Sequence, residues 1–333
     1  MFTYIMERGL PPDYRCEMRN LSSEQWWAEG VKEPALGLFC LIYGIVAIIL
    51  YGFCCTVLLQ KDLFKYTAYK FLFFLSCTDM IGLIPNSILS GIFFMQGAVY
   101  CNYPNFIYFW GCVCLGWWGG VCCGGFVLGV TRLVEVISSY WHDVLFTGKP
   151  LLLSFGIVFA YQGYFFFFTK PIFFNSVART WLFDPLIFPD GRMVQAYTCF
   201  ALTFNNSAVV FAGLLLYVAF FCVFMYKFSK NVVISKSSLQ MFIQSAYVCL
   251  VNLTLGLLYL VLQFFHVPEW VSFVGLITWQ LTSCGNLVLF LFINKTVQQR
   301  VLQLMGLSRI VMKVQPDPTT LSQQRGSNQY LEN

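Results

Sequence analysis

The chain of 333 residues is 58% hydrophobic and 11% charged, with a formal net charge of +5. A soluble protein of this length needs more charge to cover its surface. The lysines and arginines form no dense patch, so the positive charge gives no reason to expect a nucleic-acid partner. Charges cluster at the termini and between apolar runs, which is typical of a polytopic protein embedded in a lipid bilayer.

A membrane-spanning helix needs roughly 20 consecutive, mostly apolar residues. Seven segments meet this requirement and predict an all-α membrane protein, a seven-helix bundle over residues 35–294. Pro268 and Glu269 would end a helix, so the last two segments are predicted as separate spans. Spans one to seven are predicted, in chain order, at Ala35–Leu59, Tyr69–Met95, Phe106–Leu133, Pro150–Thr169, Phe204–Tyr226, Leu239–Phe265 and Trp270–Asn294.

The Lys and Arg residues of the short loops predict the orientation of the bundle. The loops Gln96–Asn105 and His266–Glu269 contain neither residue, whereas lysines and arginines recur on the other side and after span seven. This bias predicts a multi-pass protein of the plasma membrane with its N-terminus outside. Residues 1–34 are then an extracellular tail.

The segment after span seven is predicted in two parts. Residues 295–306 have Val297, Val301 and Leu304 near one face, which is the pattern of a short amphipathic helix on the inner membrane surface. Residues 307–333 are polar and are predicted to form a disordered cytoplasmic tail.

Three cysteines lie in the predicted outer, oxidising zone: Cys16, Cys101 and Cys199. A bridge between Cys101 and Cys199 would hold the long loop before span five over the bundle, and this pair is favoured. Cys16 is left over, so the spacing alone leaves the pairing open. Asn20 begins the sequon Asn20-Leu-Ser22 in the outer tail and is the predicted glycosylation site.

Asp79 is the only acidic residue near the middle of any predicted span. A carboxylate there costs roughly 2.5–3.5 kcal/mol on insertion scales, so it should face the bundle interior and find polar partners. Asn286 of span seven and Asn252 of span six are the predicted partners. Two interpretations stay open: a polar switch, which could hold a cation, and a structural hydrogen bond that fixes helix rotation.

Arg132 ends span three at the predicted inner face, with Glu135 one turn further on. One interpretation is a positive anchor whose stem reaches the interface. The other is an arginine that engages a G protein and that Glu135 holds in the resting state. Aromatic residues also allow two interpretations. Most belong to the interfacial belts, but some could line a ligand pocket in the outer half of the bundle, with Trp110, Trp117, Tyr259 and Trp279 as candidates.

The sequence lacks the residues that define several functional classes. Span seven has no lysine before Lys295 for a retinal Schiff base, and span three has no acid to pair with an amine ligand. The two histidines, His142 and His266, lack neighbours suited to a metal site. The loops contain no nucleotide-binding motif and no nucleophile constellation. We therefore expect no metal, no cofactor and no enzymatic activity.

The order of many short motifs resembles one family, the nematode serpentine receptors of class T. The resemblance runs from Tyr14 to Arg300 and implies a chemosensory seven-helix receptor. Such a receptor would bind a small molecule from outside and activate a heterotrimeric G protein. The motifs include Tyr14-Arg-Cys16, Trp26, Tyr69-Lys70, Asp79, Tyr100-Cys101, Thr131-Arg132, Trp181-Leu-Phe-Asp-Pro185, Asn205-Asn206, Gln244-Ser245, Thr278-Trp279-Gln280 and Asn294-Lys295-Thr296.

More distantly, the pattern is similar to that of rhodopsin-type receptors, around Asp79 and at Asn286-Leu-Val-Leu-Phe290. Thr131 stands where those receptors carry an acid, and Leu287 stands where they carry a proline. The rival class is a transporter or ligand-gated channel. A transporter would be expected to show repeated halves and more buried charge. No repeat is visible, so the receptor is preferred.

The predicted orientation can be tested on intact cells. An epitope tag ahead of Met1 should be accessible to antibody, whereas a tag after Asn333 should require permeabilised cells. Glycosidase should increase the gel mobility of the receptor, and Asn20→Gln should remove this shift. The opposite tag accessibility would contradict the orientation.

Overall fold

The computed structural model describes residues 9–188, 197–230, 243, 246–247, 250–259 and 269–307. Five helices within these ranges are long and apolar enough to cross a membrane, and a sixth candidate is a bent pair. Their bounds lie within four residues of those predicted for spans one to five. They are Pro34–Leu58, Thr67–Gln96, Pro104–Ile137, Lys149–Phe168, Phe200–Ser229 and, for the bent pair, Trp270–Ser283 with Gly285–Ile293.

Span six is described only in part. Leu250–Tyr259 is an apolar helix of the length of a partial span. Most of the predicted segment Leu239–Phe265, together with its junction to span seven, lies outside the described residues. The predicted tail 307–333 does so too, apart from Leu307.

Two spans are irregular, and each irregularity has a visible cause. Span two consists of an α-helix at Thr67–Leu83, a π-helix at Ile84–Leu89 and a second α-helix at Ser90–Gln96. Pro85 lies at the start of the π-helix and cannot donate a backbone hydrogen bond. Span seven bends by 48° where Cys284 leaves the helical conformation, with φ −100° and ψ 5°. The bend therefore does not require a proline.

Glycines allow spans one and two to approach each other closely. A Cβ atom on Gly37 would lie 2.5 Å from the carbonyl oxygen of Gly91, and one on Gly91 would lie 2.6 Å from that of Gly37. Real Cβ atoms do not approach that closely, so the two backbones are in direct contact. This contact fixes the separation of the first two helices near the N-terminus of the bundle.

The two ends of the bundle carry different short elements. We call the end that carries residues 9–33 the N-terminal face and the opposite end the C-terminal face. The N-terminal face carries short helices at Pro12–Tyr14, Cys16–Arg19, Ser23–Ala28 and Tyr100–Asn102. The C-terminal face carries those at Lys61–Phe64, Ser139–Phe146 and Lys295–Leu304.

The expectation of an all-α protein needs one correction. The loop between spans four and five contains an antiparallel hairpin, Phe173–Asn175 paired with Thr180–Leu182. The Asn175 side-chain oxygen accepts hydrogen bonds from the amides of Val177 and Ala178, which closes the turn. The hairpin lies under the N-terminal segment, where the hydroxyl of Ser176 accepts from the amide of Val31 at 3.1 Å.

The predicted Cys101–Cys199 bridge is wrong. Cys101 is bonded to Cys16, with their Cα atoms 5.7 Å apart, and Cys199 is a buried free thiol. The physical reason is that the N-terminal segment is folded onto the bundle. Tyr14 is 3% exposed, and its backbone carbonyl accepts from the hydroxyl of Tyr100 at 2.9 Å, next to Cys101. That contact brings Cys16 to Cys101.

The helix Lys295–Leu304 matches the predicted amphipathic pattern over most of its length. Val297 and Val301 are fully buried, while Leu304 is exposed. Its N-terminus is capped by Asn294, whose side-chain oxygen accepts from the amide of Val297. At the other side of the helix, Arg300 pairs with Asp62 of the loop between spans one and two. The guanidinium hydrogen bonds hold the pKa of Asp62 below its usual value.

The disulfide assignment predicts a specific pattern of cysteine variants. Cys16→Ser and Cys101→Ser should each reduce surface expression, because the bridge closes a loop of 85 residues in the unfolded chain. Loss of a structural disulfide typically costs about 2–5 kcal/mol. Cys199→Ser is the matched control and should be expressed at the level of the natural chain. Flow cytometry of tagged receptors measures the difference, and damage confined to Cys199→Ser would contradict the assignment.

Candidate functional site

Asp79 lies at the centre of the bundle and is 1% exposed. Its carboxyl group contacts three other spans. Tyr51 of span one lies 3.0 Å from Oδ2, the amide of Asn286 in span seven donates to Oδ2 at 2.7 Å, and the indole of Trp117 in span three donates to Oδ1 at 3.4 Å. A buried carboxyl group requires such partners, because hydrocarbon offers none.

A second set of polar contacts extends this site along span seven. Asn86 of the π-helix donates to the hydroxyl of Ser283 at 2.7 Å. Gln280 donates to the backbone carbonyl of Asn86 at 3.0 Å, and the hydroxyl of Tyr43 donates to the carbonyl of Gln280 at the same distance. Spans one, two and seven are therefore joined by hydrogen bonds over two helical turns. We call Asp79, Tyr51, Trp117, Asn286, Ser283, Asn86 and Gln280 the polar core.

The structure brings together some of the predicted polar residues and not others. Asn286 contacts Asp79 as expected. Asn252 is buried in span six, but the described hydrogen bonds to Asp79 come from other residues. Tyr51 was missed, since a tyrosine within an apolar run gives no sequence signal that separates it from an interfacial aromatic residue.

Aromatic side chains adjoin the polar core on its N-terminal side. The ring of Trp117 lies 5.7 Å from that of Trp118 and 5.7 Å from that of Trp279, centroid to centroid. Trp118 donates to the side-chain oxygen of Asn206 in span five at 2.7 Å. Tyr259 belongs to the same apolar cluster. All four predicted pocket residues thus belong to this cluster of spans three, six and seven or pack against it.

Trp110, the fourth candidate, is half-buried and packs against the edge of the same cluster. Its ring packs against Phe106 and Phe109, which are 46% and 39% exposed. Phe106 and Phe109 lie on the surface of the bundle, so Trp110 lies between that surface and the cluster. Within the described cluster, the indole nitrogen of Trp279 is buried without a hydrogen-bond partner.

Tyrosines close the N-terminal face above this cluster. Tyr14 contacts the rings of Tyr108, Phe173 and Tyr197 at 5.2–5.5 Å. The hydroxyl of Tyr197 donates to the backbone carbonyl of Asp13 at 2.6 Å. Burial raises the pKa of Tyr197 to about 12 and also raises that of Tyr14. The phenols therefore stay protonated at physiological pH and remain hydrogen-bond donors.

Arg132 and Glu135 form an ion pair at the opposite end of span three. The guanidinium of Arg132 donates to the carboxylate of Glu135 at 2.9 Å, and the two side chains are 11% and 30% exposed. One turn away, the ammonium of Lys227 in span five donates to the backbone carbonyl of Val136 at 2.6 Å. Thr131 bonds to the carbonyl of Leu128 in its own helix.

Comparison of the sequence with known proteins shows the class of protein to which the chain belongs. Residues 1–314 match the sequence model of a family described as "Serpentine type 7TM GPCR chemoreceptor Srt". Among curated proteins, Serpentine receptor class T-55 of Caenorhabditis elegans is 24% identical over 309 residues, which cover 90% of this chain and 83% of that protein.

The class is therefore that of the multi-pass, seven-transmembrane serpentine receptors. Within it, this chain belongs to the Srt family of chemoreceptors. The family is a receptor family.

Close packing at the polar core gives a prediction about Gly82. A Cβ atom at Gly82 would lie 2.4 Å from the indole of Trp117, so Gly82→Ala should displace the ring that donates to Asp79. Overpacking of this kind typically costs about 1–3 kcal/mol. Gly52→Ala is the control, because nothing lies within 4 Å of a Cβ there. Thermal unfolding of the solubilised receptor should show a lower Tm for Gly82→Ala only; equal Tm values would contradict the packing.

Proposed function

We propose that this protein is a plasma-membrane chemoreceptor of rhodopsin-like arrangement that binds a small molecule and activates a heterotrimeric G protein. The observation that carries the proposal is the layout of span three. Trp117 lies in the aromatic cluster and contacts Asp79, and Arg132 lies 15 residues further along the same helix. At 1.5 Å per residue, that is about 22 Å, most of a bilayer core.

The aromatic cluster is the proposed ligand site. Trp117, Tyr259 and Trp279 offer apolar surface from three spans, and the indole nitrogen of Trp279 is a buried donor without a partner. A buried donor left unpaired costs about 1–3 kcal/mol, which an acceptor group on a ligand would recover. Such a ligand would be largely apolar and would carry at least one hydrogen-bond acceptor.

The N-terminal face is the proposed extracellular side. It carries the Cys16–Cys101 disulfide, and disulfides form and persist in oxidising compartments. Asn20 of the sequon is exposed on the same face and so is open to glycosylation. The loop Gln96–Asn105 on this face contains no lysine or arginine, as expected outside the cell.

The C-terminal face is the proposed site of the G protein. Arg132 is held there by Glu135, and span five is tied to span three through Lys227. The helix Lys295–Leu304 would lie on the inner membrane surface beside it. A ligand that binds one conformation better shifts the population toward it. We propose that this shift opens the Arg132–Glu135 pair.

The role of Arg132 can be tested by basal G-protein activation in cells. Lysine retains the charge but not the planar fork of donors, so Arg132→Lys should abolish basal activation at normal surface expression. Glu135→Gln should raise basal activation about 1.4- to 5-fold, because a partly exposed ion pair contributes roughly 0.2–1 kcal/mol.

Asp143→Asn is the control for loss of a negative charge on the same face, since its carboxylate is 72% exposed. It should leave basal activation unchanged. Normal coupling by Arg132→Lys would reduce Arg132 to a membrane anchor. An unchanged basal level in Glu135→Gln would show that the ion pair is not a restraint.

A further inference from the structure

The hydroxyl of Tyr51 contacts two oxygen atoms but has one hydrogen. Its Oη lies 2.8 Å from the backbone carbonyl oxygen of Ser283 and 3.0 Å from Oδ2 of Asp79. A phenol donates once and accepts through its lone pairs. Tyr51 can therefore donate to one of these two oxygens. The other contact is a hydrogen bond only if its oxygen carries a hydrogen.

The carbonyl of Ser283 is the one that needs the hydrogen of Tyr51. In an unbroken helix it would accept from the amide of Leu287, four residues later. Span seven is interrupted at Cys284, and the amides around the break bond elsewhere, Cys284 to Leu281 and Val288 to Cys284. Within the described residues, the donor to the Ser283 carbonyl is Tyr51. A carbonyl has no proton to give, so the direction of this bond is fixed.

The hydrogen between Tyr51 and Asp79 must then come from Asp79. We propose that Asp79 is a proton-binding site, and that in this conformation it is a neutral carboxylic acid that donates from Oδ2 to Tyr51. Oδ2 retains a lone pair for the amide of Asn286, and Oδ1 accepts from Trp117. The chain of hydrogen bonds runs from Asp79 through Tyr51 to the bend of span seven.

The surroundings of Asp79 favour the neutral form. The titratable side chains beside it and beside Tyr51 are Cys54 of span one and Cys284 of span seven, and span three contributes Trp117, which does not titrate. None of these groups is a cation. An ionised carboxylate would thus be fully buried with no positive side chain against it in the described part of the chain.

Release of the proton to water would change the bonding at span seven. Ionised Asp79 is an acceptor only, so it would take the hydrogen of Tyr51. The Ser283 carbonyl would lose its donor, and the bend would lose its tie to span one. The conformation seen here binds the proton, so by linkage it is favoured as the pH falls and loses stability as the pH rises.

Infrared spectroscopy of the purified full-length receptor in lipid nanodiscs tests the protonation state directly. The spectrum at neutral pH should contain the carbonyl stretch of a protonated carboxylic acid, and Asp79→Asn should remove it. A difference spectrum with carboxylate bands alone would overturn the proposal. This measurement needs no ligand and no G protein, so its outcome is separate from that of the proposed function.

Thermal unfolding of the same samples provides the second test. The Tm of the natural receptor should fall as the pH rises. The Tm of Asp79→Asn should stay constant, because the asparagine amide can donate in place of the acid hydrogen. Tyr51→Phe should lower the Tm at every pH, because the Ser283 carbonyl is left unpaired. Tyr66→Phe is the control, since Tyr66 is 53% exposed.

A comparison of the Tm in sodium and choline salts distinguishes a protonated Asp79 from an ionised Asp79 that binds a cation. If replacing choline by sodium raises the Tm of the natural receptor and Asp79→Asn abolishes this rise, the carboxylate is ionised and holds a cation, and the proposal is wrong. A Tm that is the same in both salts is the expected result. If Tyr51→Phe does not fold, the infrared spectra of the natural receptor and of Asp79→Asn still test the protonation of Asp79.

Discussion

The arrangement of the described spans depends on one buried carboxyl group that hydrocarbon cannot solvate. Asp79 is surrounded by partners from spans one, three and seven, and each must face it at hydrogen-bonding distance. Rotation of any of these helices about its axis would remove a partner. The apolar surfaces of membrane helices pack against one another or against lipid with little preference, so polar contacts of this kind specify rotation. The π-helix of span two and the bend of span seven place Asn86 and Ser283 within the same polar core.

The N-terminal face is specified by different chemistry. Aromatic rings and a disulfide close it, and the chain's own N-terminal segment supplies Tyr14 as the central ring. Two buried tyrosines there, Tyr100 and Tyr197, donate to backbone carbonyls of the segment, and Glu33 at its end pairs with Arg179 of the hairpin. A ligand for the proposed site must therefore pass beside this segment or displace it. The proposed ligand site at one end and the Arg132–Glu135 pair at the other are joined by the single helix of span three.

Parts of the site could be predicted from sequence because acidic and amide side chains are rare within the predicted spans. One acid near the middle of a span must find partners, and Asn286 was among the few amides available; the structure places it against Asp79. Tyr51 and Asn206 could not be chosen in the same way. Tyrosine is common at membrane interfaces, and the Asn205-Asn206 pair stands at the start of span five, where polar residues need no explanation. Only the facing helix shows that Asn206 accepts from Trp118.

The sequence by itself determined the spans, because hydropathy over some 20 residues is a local property that does not depend on the neighbouring helices. Seven such segments and the family to which the chain belongs describe the same architecture. The tertiary structure alone decided the disulfide, the hairpin and the position of Tyr51 between the Ser283 carbonyl and Asp79. Cysteine spacing left the pairing open, and the choice of Cys199 over Cys16 was wrong because the sequence does not reveal that residues 9–33 fold onto the bundle. Likewise, an interrupted helix at Cys284 leaves one carbonyl in need of a donor, and that need appears only when span one is placed beside it.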